Sequence, residues 1–321
     1  MAAVNATDNT HLHMSQMFLI FKITALGIIL LLNIIVNSLT LIILPKVPDM
    51  NPATRVFLTS MTLSDLGGGF GFILPVFVST IINRWPFEED KCAILAYMNY
   101  TCGFISAMSL LSVNFERYLT VTKPLRYRNI ITAKRAFVIC VGLWMFSALL
   151  SASCCFMFGR RGTYSENLHA CTTGPADPTA QDVHGTVFIV LFIIAPLATA
   201  LVLFFRMFII ALSHAAKIAA QKKAKSENKA FVTFFIMTCC LTVGWYPISI
   251  AYIYENMTRK VISAPVMCLY EILAFSNTVV NVLVYYLRNR VFKETAKKLI
   301  LLRLQWINNW WKNKTPVVPF S

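Results

Sequence analysis

The sequence predicts an all-α membrane protein: a seven-transmembrane helix bundle followed by a short amphipathic eighth helix. Composition is the first indication, because 57% of the 321 residues are hydrophobic and only 13% are charged. So few charges do not cover a soluble globule of this size. The second indication is a series of seven apolar runs, each long enough to cross about 30 Å of hydrocarbon as a helix. The third is that the basic residues lie between these runs.

The seven runs lie near residues 18–44, 54–81, 93–121, 136–158, 184–213, 230–254 and 264–287. Helices that satisfy their own backbone hydrogen bonds are the spanning structure that such runs permit, since a closed barrel shows short alternating segments. We therefore expect an extracellular tail (1–17), the bundle (18–287), and an amphipathic helix with a cytoplasmic tail (288–321).

Lysine and arginine indicate the orientation of the bundle. The loops and tail on one side carry 22 of these residues, and the loops on the other side carry six. By the positive-inside rule the amino terminus is extracellular and the carboxyl terminus is cytoplasmic, as expected for a multi-pass plasma-membrane protein. Asn5 then begins a glycosylation sequon on the outer side. The net charge of +15 follows from this topology and does not indicate nucleic acid as a partner.

Histidine and cysteine form no catalytic or metal-binding pattern. The five histidines lie in tails or at span boundaries, without a nucleophile at a suitable spacing, and most of the nine cysteines fall inside apolar runs. We therefore expect neither an enzyme nor an organic cofactor. Cys92 and Cys171 differ, because one opens the third run on the outer side and the other lies in the loop between the fourth and fifth runs. Their shared oxidising compartment favours a disulfide over two free thiols.

Residues distributed over all seven runs resemble the markers of rhodopsin-like (class A) G protein-coupled receptors, and the resemblance covers about residues 18–300. In chain order the markers are Asn37; Leu63, Ser64 and Asp65; Trp85, Pro86, Phe87 and Cys92; Glu116, Arg117 and Tyr118 with the segment Lys123 to Tyr127; Trp144; Pro196; Trp245, Tyr246 and Pro247; and Asn277, Asn281 and Tyr285. Arg117 follows Cys92 by 25 residues, which is about 37 Å of helix. This length places Arg117 at the inner end of the third span.

The resemblance implies a receptor that binds an extracellular small molecule or short peptide and activates a heterotrimeric G protein by outward movement of helix six. The coupling residues that it implies are Glu116, Arg117, Tyr118, Leu125, Glu227 and Tyr285. The conformational switch residues are Pro196, Trp245, Pro247 and Asn281. In many family members the arginine pairs with the preceding acid and with an acid at the start of helix six, here Glu227. Because Glu227 lies among four lysines, neutralising them is an equal interpretation.

Asp65 lies within the second run, where an ionised carboxylate is costly unless it has partners. The resemblance implies a pocket for Na⁺ as an allosteric ion, formed by Asp65, Ser106, Asn277, Thr278 and Asn281. A protonated or water-bonded Asp65 with purely structural partners is the alternative.

We expect an outer ligand cavity lined by Asn99, Gly103, Trp245, Ser249, Tyr252, Glu271 and Phe275. Asn99 stands where amine receptors carry an aspartate, and Phe275 where opsins carry the lysine that binds retinal, so retinal is not expected. Glu271 is the one acid placed at this depth, and the second, third and sixth runs carry no lysine or arginine at the same depth. It therefore either pairs with a cationic ligand or is held by tyrosine hydroxyls or a basic residue of an outer loop.

Several positions depart from the family pattern and leave atypical or constitutive signalling as an alternative. Val282 replaces a proline of helix seven, so we expect an unkinked helix there. Phe204, Ala107 and Leu241 replace a tyrosine, an isoleucine and a phenylalanine. A channel or transporter is the alternative outside the family, but it gives Arg117 no role. After residue 287, the mixture of basic and apolar residues is typical of a helix lying along the inner leaflet of membrane lipid.

Overall fold

The computed structural model describes residues 16–48, 50–88, 90–123, 126–157, 160–166, 168–175, 181–215 and 222–314. In this part of the chain seven helices are long and apolar enough to cross a membrane. The predicted seven-helix bundle is therefore confirmed. Two residues named from the sequence, Asn5 and Leu125, lie outside the described residues.

We number the helices span one to span seven. Their bounds are Gln16–Ile43 (one); Pro52–Gly68 and Leu74–Ile82, joined by the π-helix Gly69–Ile73 (two); Asp90–Thr122 (three); Ala133–Phe156 (four); Val183–Ile189 and Ala195–Ala215, joined by the π-helix Val190–Ile194 (five); Lys222–Thr258 (six); and Ala264–Arg288 (seven). Short helical turns, Leu44–Lys46 and Tyr127–Ile130, follow spans one and three.

Local sequence sets where the helices begin. Span two starts with Pro52, whose missing N–H costs nothing in the first turn, and the Asn51 side chain accepts the Ala53 N–H at 2.9 Å. Span four starts after Thr132, whose hydroxyl accepts the Arg135 N–H. Each side chain satisfies a backbone donor that the helix itself leaves unpaired.

Proline explains the two π-helices. Pro75 and Pro196 each follow one of them within two residues. A prolyl ring has no N–H and clashes with the carbonyl one turn earlier, and a π-bulge relieves this clash by shifting the hydrogen-bond register. Pro196 was predicted as a switch residue, but the π-helix before it was not predicted. Span seven, with Val282 in place of proline, is one unbroken helix.

Burial separates an interior from a lipid-facing surface. Leu58, Leu110, Met237 and Leu241 join spans two, three and six in a buried apolar cluster of the inner half. Span four, in contrast, exposes large apolar side chains along its length: Phe137, Val138, Val141, Met145 and Leu149. Such a surface is stable in hydrocarbon but not in water.

A two-stranded hairpin covers the outer end of the bundle. Strand β1 (Arg160–Ser165) pairs antiparallel with β2 (Ala170–Pro175). The predicted disulfide is present: Cys92 at the start of span three bonds to Cys171 of β2, with 5.1 Å between their Cα atoms. A Cβ on Gly162 would lie 2.3 Å from the Ala93 nitrogen, so only glycine lets the hairpin pack this closely on span three.

A further helix, Arg290–Lys314, follows span seven and is 25 residues long, which is longer than the short helix expected. It begins after Asn289, whose side chain accepts the Phe292 N–H at 3.0 Å. Phe292 and Ala296 are buried against the bundle. Farther along, Leu301, Leu304 and Trp306 are exposed.

Candidate functional site

A cavity of about 430 Å³ lies between the hairpin and the middle of the bundle. All seven residues proposed from the sequence line it: Asn99, Gly103, Trp245, Ser249, Tyr252, Glu271 and Phe275. Leu168, Cys171 and Thr172 of the hairpin region form its outer wall. A volume of this size is typical of small-molecule sites.

Aromatic rings form a wall that the sequence reasoning missed. Tyr100 and Phe104 of span three and Phe188 and Phe192 of span five also line the cavity. The ring centroids of Tyr100 and Phe188 are 5.4 Å apart, and those of Phe104 and Phe192 are 5.8 Å apart. Tyr100 and Phe104 are four residues apart on span three, and so are Phe188 and Phe192 on span five. This helical spacing puts the two rings of each span on one face, and it was the signal available in the sequence.

Glu271 has a partner that the sequence analysis did not foresee. Lys22 Nζ of span one lies 2.9 Å from Glu271 Oε2, and the two side chains are 0% and 3% exposed. Spans two, three and six carry no basic residue at this depth, and the cation comes from span one instead. Of the two alternatives for Glu271, the structure shows a partner within the protein, although this basic residue comes from span one and not from an outer loop.

Lys22 also joins the hairpin to the bundle, because its ammonium donates a hydrogen bond to the Leu168 carbonyl. The neighbouring His169 is buried, and its Nε2 lies 2.8 Å from Asn83 Oδ1. Burial, and then the Lys22 charge, lower the pKa of His169 to about 4. Its ring is therefore neutral at physiological pH, and protonation would disrupt this edge of the hairpin only in acid.

Asp65 lies below the cavity at the centre of a buried polar network. Ser106 Oγ donates to Asp65 Oδ1 at 2.8 Å, and Asn281 Nδ2 approaches Asp65 Oδ2 at 3.3 Å. Asn33 donates to the Asp65 carbonyl at 2.9 Å, and Asn37 donates to the Thr278 carbonyl at 2.8 Å. The network thus joins spans one, two, three and seven.

The residues around Asp65 have the chemistry of a sodium site. Asp65, Ser106, Asn277 and Thr278 line a cavity of about 20 Å³, which is room for about one water or one small ion. Asn281 Oδ1 is buried and has no hydrogen-bond partner among the described residues. A carboxylate, a hydroxyl and an amide oxygen are ligands that suit a hard cation. Trp245 is one of the residues that line both this cavity and the outer one, so the two cavities adjoin each other there.

At the inner end of the bundle, Glu116 and Arg117 form a second polar cluster. Glu116 is wholly buried and accepts hydrogen bonds from Thr54 Oγ1 at 2.6 Å and Asn51 Nδ2 at 2.9 Å. Arg117 Nη2 donates to Thr54 at 3.0 Å, and its Nε lies 3.8 Å from Glu116 Oε2. Span two therefore holds both charged side chains. Asn51 and Thr54 were not predicted from the sequence to belong to this cluster.

Of the other proposed coupling residues, Tyr285 is buried, and its hydroxyl accepts from Asn289 Nδ2 at 2.8 Å. Tyr118 packs against the inner apolar cluster. Glu227 lies in span six, but its side chain is outside the part that the structure describes. A different contact ties spans three and six there, since Asn114 Nδ2 donates to Thr238 Oγ1 at 2.8 Å in a buried position.

The comparisons with known proteins agree with this arrangement. The family described as 7 transmembrane receptor (rhodopsin family) matches residues 36–285, which is most of the chain. The chain belongs to this family.

It is 24% identical over 298 residues to "Probable G-protein coupled receptor 21" of Homo sapiens, covering 88% of this chain and 84% of that protein. It is also 24% identical to the [Phe13]-bombesin receptor of Bombina orientalis over 295 residues, 85% of this chain and 74% of that one. Against the histamine H2 receptor of Homo sapiens the identity is 24% over 290 residues, 87% and 79% of the two chains.

Family membership confirms the resemblance drawn from the sequence. The protein is a G protein-coupled receptor and a multi-pass membrane protein, and the expectation of a receptor rather than an enzyme is confirmed. Neither a channel nor a transporter is supported by the matches. Within this receptor, Ala107, Leu241 and Val282, which depart from the family pattern, are all buried in the bundle.

Proposed function

We propose that this receptor resides in the plasma membrane, binds an extracellular small molecule or short peptide in the outer cavity, and activates a heterotrimeric G protein. The observation that carries the proposal is the position of Trp245, which lines both the outer cavity and the Asp65 cavity beneath it. A ligand that displaces this side chain alters the packing above Asp65. The ligand can therefore change the relative stability of two bundle conformations.

The proposed orientation puts the outer cavity outside the cell. The positive-inside count favours it, with 22 basic residues on one side and six on the other. The Cys92–Cys171 disulfide lies on the side with six, where an oxidising compartment would preserve it. The helix Arg290–Lys314 then lies at the inner leaflet, with its basic side chains near lipid headgroups. Asn5 would be on the outer side and is proposed to be glycosylated.

Activation is proposed to move the inner end of span six outward and to free Arg117 for the G protein. In the structure Arg117 is turned toward Glu116 and Thr54, and Asn114 holds Thr238 of span six. The Asn114–Thr238 contact exists only while span six is packed inward. A G protein that binds the open form stabilises it.

We further propose that Na⁺ binds beside Asp65 and favours the inward form. Two observations support sodium binding. A small cavity lies beside the carboxylate, and the Asn281 Oδ1 atom has no partner among the described residues. The ion would supply a positive charge to a carboxylate that forms no ion pair with any residue the structure describes.

Ligand-stimulated G protein dissociation in cells tests the proposal. A panel of amines, nucleosides, lipids and short peptides would be applied to the receptor and to Arg117→Ala at matched surface expression. We expect at least one compound to act on the wild type and to lose its effect in Arg117→Ala. A compound that binds the outer cavity yet dissociates no class of G protein would contradict coupling.

Atypical or constitutive signalling is a second candidate, favoured by span seven. Because Val282 replaces proline, the helix Ala264–Arg288 runs unbroken past Asn281. An unkinked helix changes how Asn281 and Tyr285 move on activation. High ligand-independent G protein dissociation by the wild type would distinguish this candidate from a ligand-gated receptor.

A further inference from the structure

The wall of the outer cavity is acidic. Asp182, Glu255 and Glu271 line it, and its described lining includes no lysine, arginine or histidine. Carboxylates on the wall of a cavity with low-dielectric surroundings attract cations and disfavour anions. The three acids differ, however, in how far the protein already satisfies them.

Two of the acids already have partners within the protein. Glu271 is neutralised by Lys22, and both side chains are buried. Asp182 precedes span five, where its Oδ1 accepts the Gly185 N–H at 2.8 Å as a helix cap. Removing either carboxylate would therefore disturb the protein whether or not a ligand is present.

Glu255 is in a different position. It lies at the outer end of span six and is half-buried on the cavity wall. Its Oε1 accepts the Ile262 N–H at 2.7 Å, which fixes the carboxylate against the loop between spans six and seven. It forms no ion pair with any residue that the structure describes. The Glu255 carboxylate is thus held in place, and none of the described side chains neutralises it.

The surroundings of Glu255 are rigid. The adjacent Asn256 donates to the Asp182 carbonyl at 2.9 Å and to Thr186 Oγ1 at 2.6 Å, and it accepts the Asp182 N–H at 2.7 Å. These three bonds join the outer ends of spans five and six. The carboxylate is therefore presented by a preorganised rim, which lowers the entropic cost of binding.

We infer that the activating ligand carries a positively charged group that binds Glu255, and an apolar part that packs on the rings of Tyr100, Phe104, Phe188 and Phe192. The inference rests on the proposed function, since it takes the outer cavity as the ligand site. Aromatic walls bind apolar groups and also favour cations over their faces. The cationic anchor is at span six rather than at Glu271, because Lys22 already occupies the latter.

Purified full-length receptor tests this with a defined library of arylalkylamines, each paired with its neutral N-acetyl derivative. Binding is measured as the rise in melting temperature and then as an affinity for the best pair. The variants are Glu255→Gln and Glu255→Ala, with Glu88→Gln as the matched control. Glu88 is an outer acid that lies outside the cavity lining and pairs with Lys91 at 3.5 Å.

We expect amines to bind and their N-acetyl partners to bind at least tenfold more weakly. Glu255→Gln should weaken amine binding by about ten- to a hundredfold, the range for loss of a charge-assisted hydrogen bond. Glu88→Gln should leave it unchanged. If Glu255→Gln does not fold, Glu255→Ala replaces it in the comparison, and the amine preference of the wild type is judged by itself.

The inference is overturned if no amine binds, if amines and neutral partners bind equally, or if amine affinity survives loss of the Glu255 charge. Failure of the proposed function looks different. An amine that binds through Glu255 but dissociates no G protein supports the inference and contradicts coupling. A neutral agonist that activates through Arg117 supports coupling and contradicts the inference.

Discussion

Lys22 determines the role of Glu271, because it supplies the counter-charge of this buried acid. An acid at Glu271 is visible in the sequence, but its partner is 249 residues away on a different span. Periodicity places each residue on a face of its own helix and says nothing about which helix lies opposite. The pocket residues could therefore be predicted, whereas the charge pairing within the pocket could not.

Replacing Lys22 by methionine should destabilise the receptor. Removing one partner leaves Glu271 buried without a counter-charge, and breaking a buried pair costs about 3–5 kcal/mol. We expect a lower melting temperature for Lys22→Met, and partial recovery in Lys22→Met combined with Glu271→Leu, which removes both charges. Glu294→Gln is the control, because the Arg290–Glu294 pair is solvent-exposed and should matter little. Equal melting temperatures for wild type and Lys22→Met would mean that the pair contributes nothing.

Sodium should stabilise the ligand-free receptor through Asp65. An ion that binds only the inward form raises the stability of that form in proportion to its occupancy. The melting temperature in sodium chloride should exceed that in choline chloride at equal ionic strength, and the difference should vanish in Asp65→Asn. A sodium effect of the same size in that variant would assign it to another site.

Spans six and seven show what close helix packing requires of sequence. A Cβ on Gly244 would lie 1.6 Å from Asn277 Nδ2, so the two helices approach to a distance that only glycine permits. Asn277 also lines the Asp65 cavity, so this contact places the cavity beside span six. Asn277 was predicted from the family resemblance, whereas no role was predicted for Gly244. An isolated glycine in a helical run does not reveal what lies against it.

Gly244→Ala should lower the melting temperature and weaken the sodium effect, because the new methyl group must displace Asn277 or separate the helices. Gly142→Ala is the matched control: a Cβ there meets nothing within 4 Å. Replacing a mid-helix glycine by alanine at such an open position stabilises by roughly 0.5–1 kcal/mol. If the two variants have the same melting temperature and the same sodium effect, the close contact between spans six and seven does not contribute to stability.

The hydrogen bond between Asn114 and Thr238 should restrain span six. Thr238→Val removes the acceptor while keeping the shape of the side chain, so the inward form loses stability relative to the outward form. We expect higher ligand-independent G protein dissociation at matched surface expression. Thr242→Val is the control, because the Thr242 hydroxyl donates within its own helix, to the Thr238 carbonyl at 2.8 Å. Unchanged basal signalling in Thr238→Val would remove this bond from the account of activation.

For the whole molecule, hydrophobic run length and charge asymmetry were sufficient to predict the bundle. The runs near 18–44 and 264–287 match the helices Gln16–Ile43 and Ala264–Arg288 closely, because lipid imposes a length on each span. The π-helices, the hairpin strands and the 25-residue length of the final helix were not predicted. They depend on local backbone geometry and on contacts between spans, which hydropathy does not encode.

The central claim, that this receptor couples its bundle conformation to a G protein through Arg117, can be tested without a ligand. Thr238→Val and Thr238→Val combined with Arg117→Ala would be reconstituted in lipid nanodiscs with each class of heterotrimeric G protein. Guanine nucleotide exchange would then be measured against wild type. We predict that Thr238→Val accelerates exchange on at least one class and that adding Arg117→Ala abolishes the acceleration. Exchange that stays at the wild-type rate for every class, or acceleration that persists without Arg117, would contradict the account.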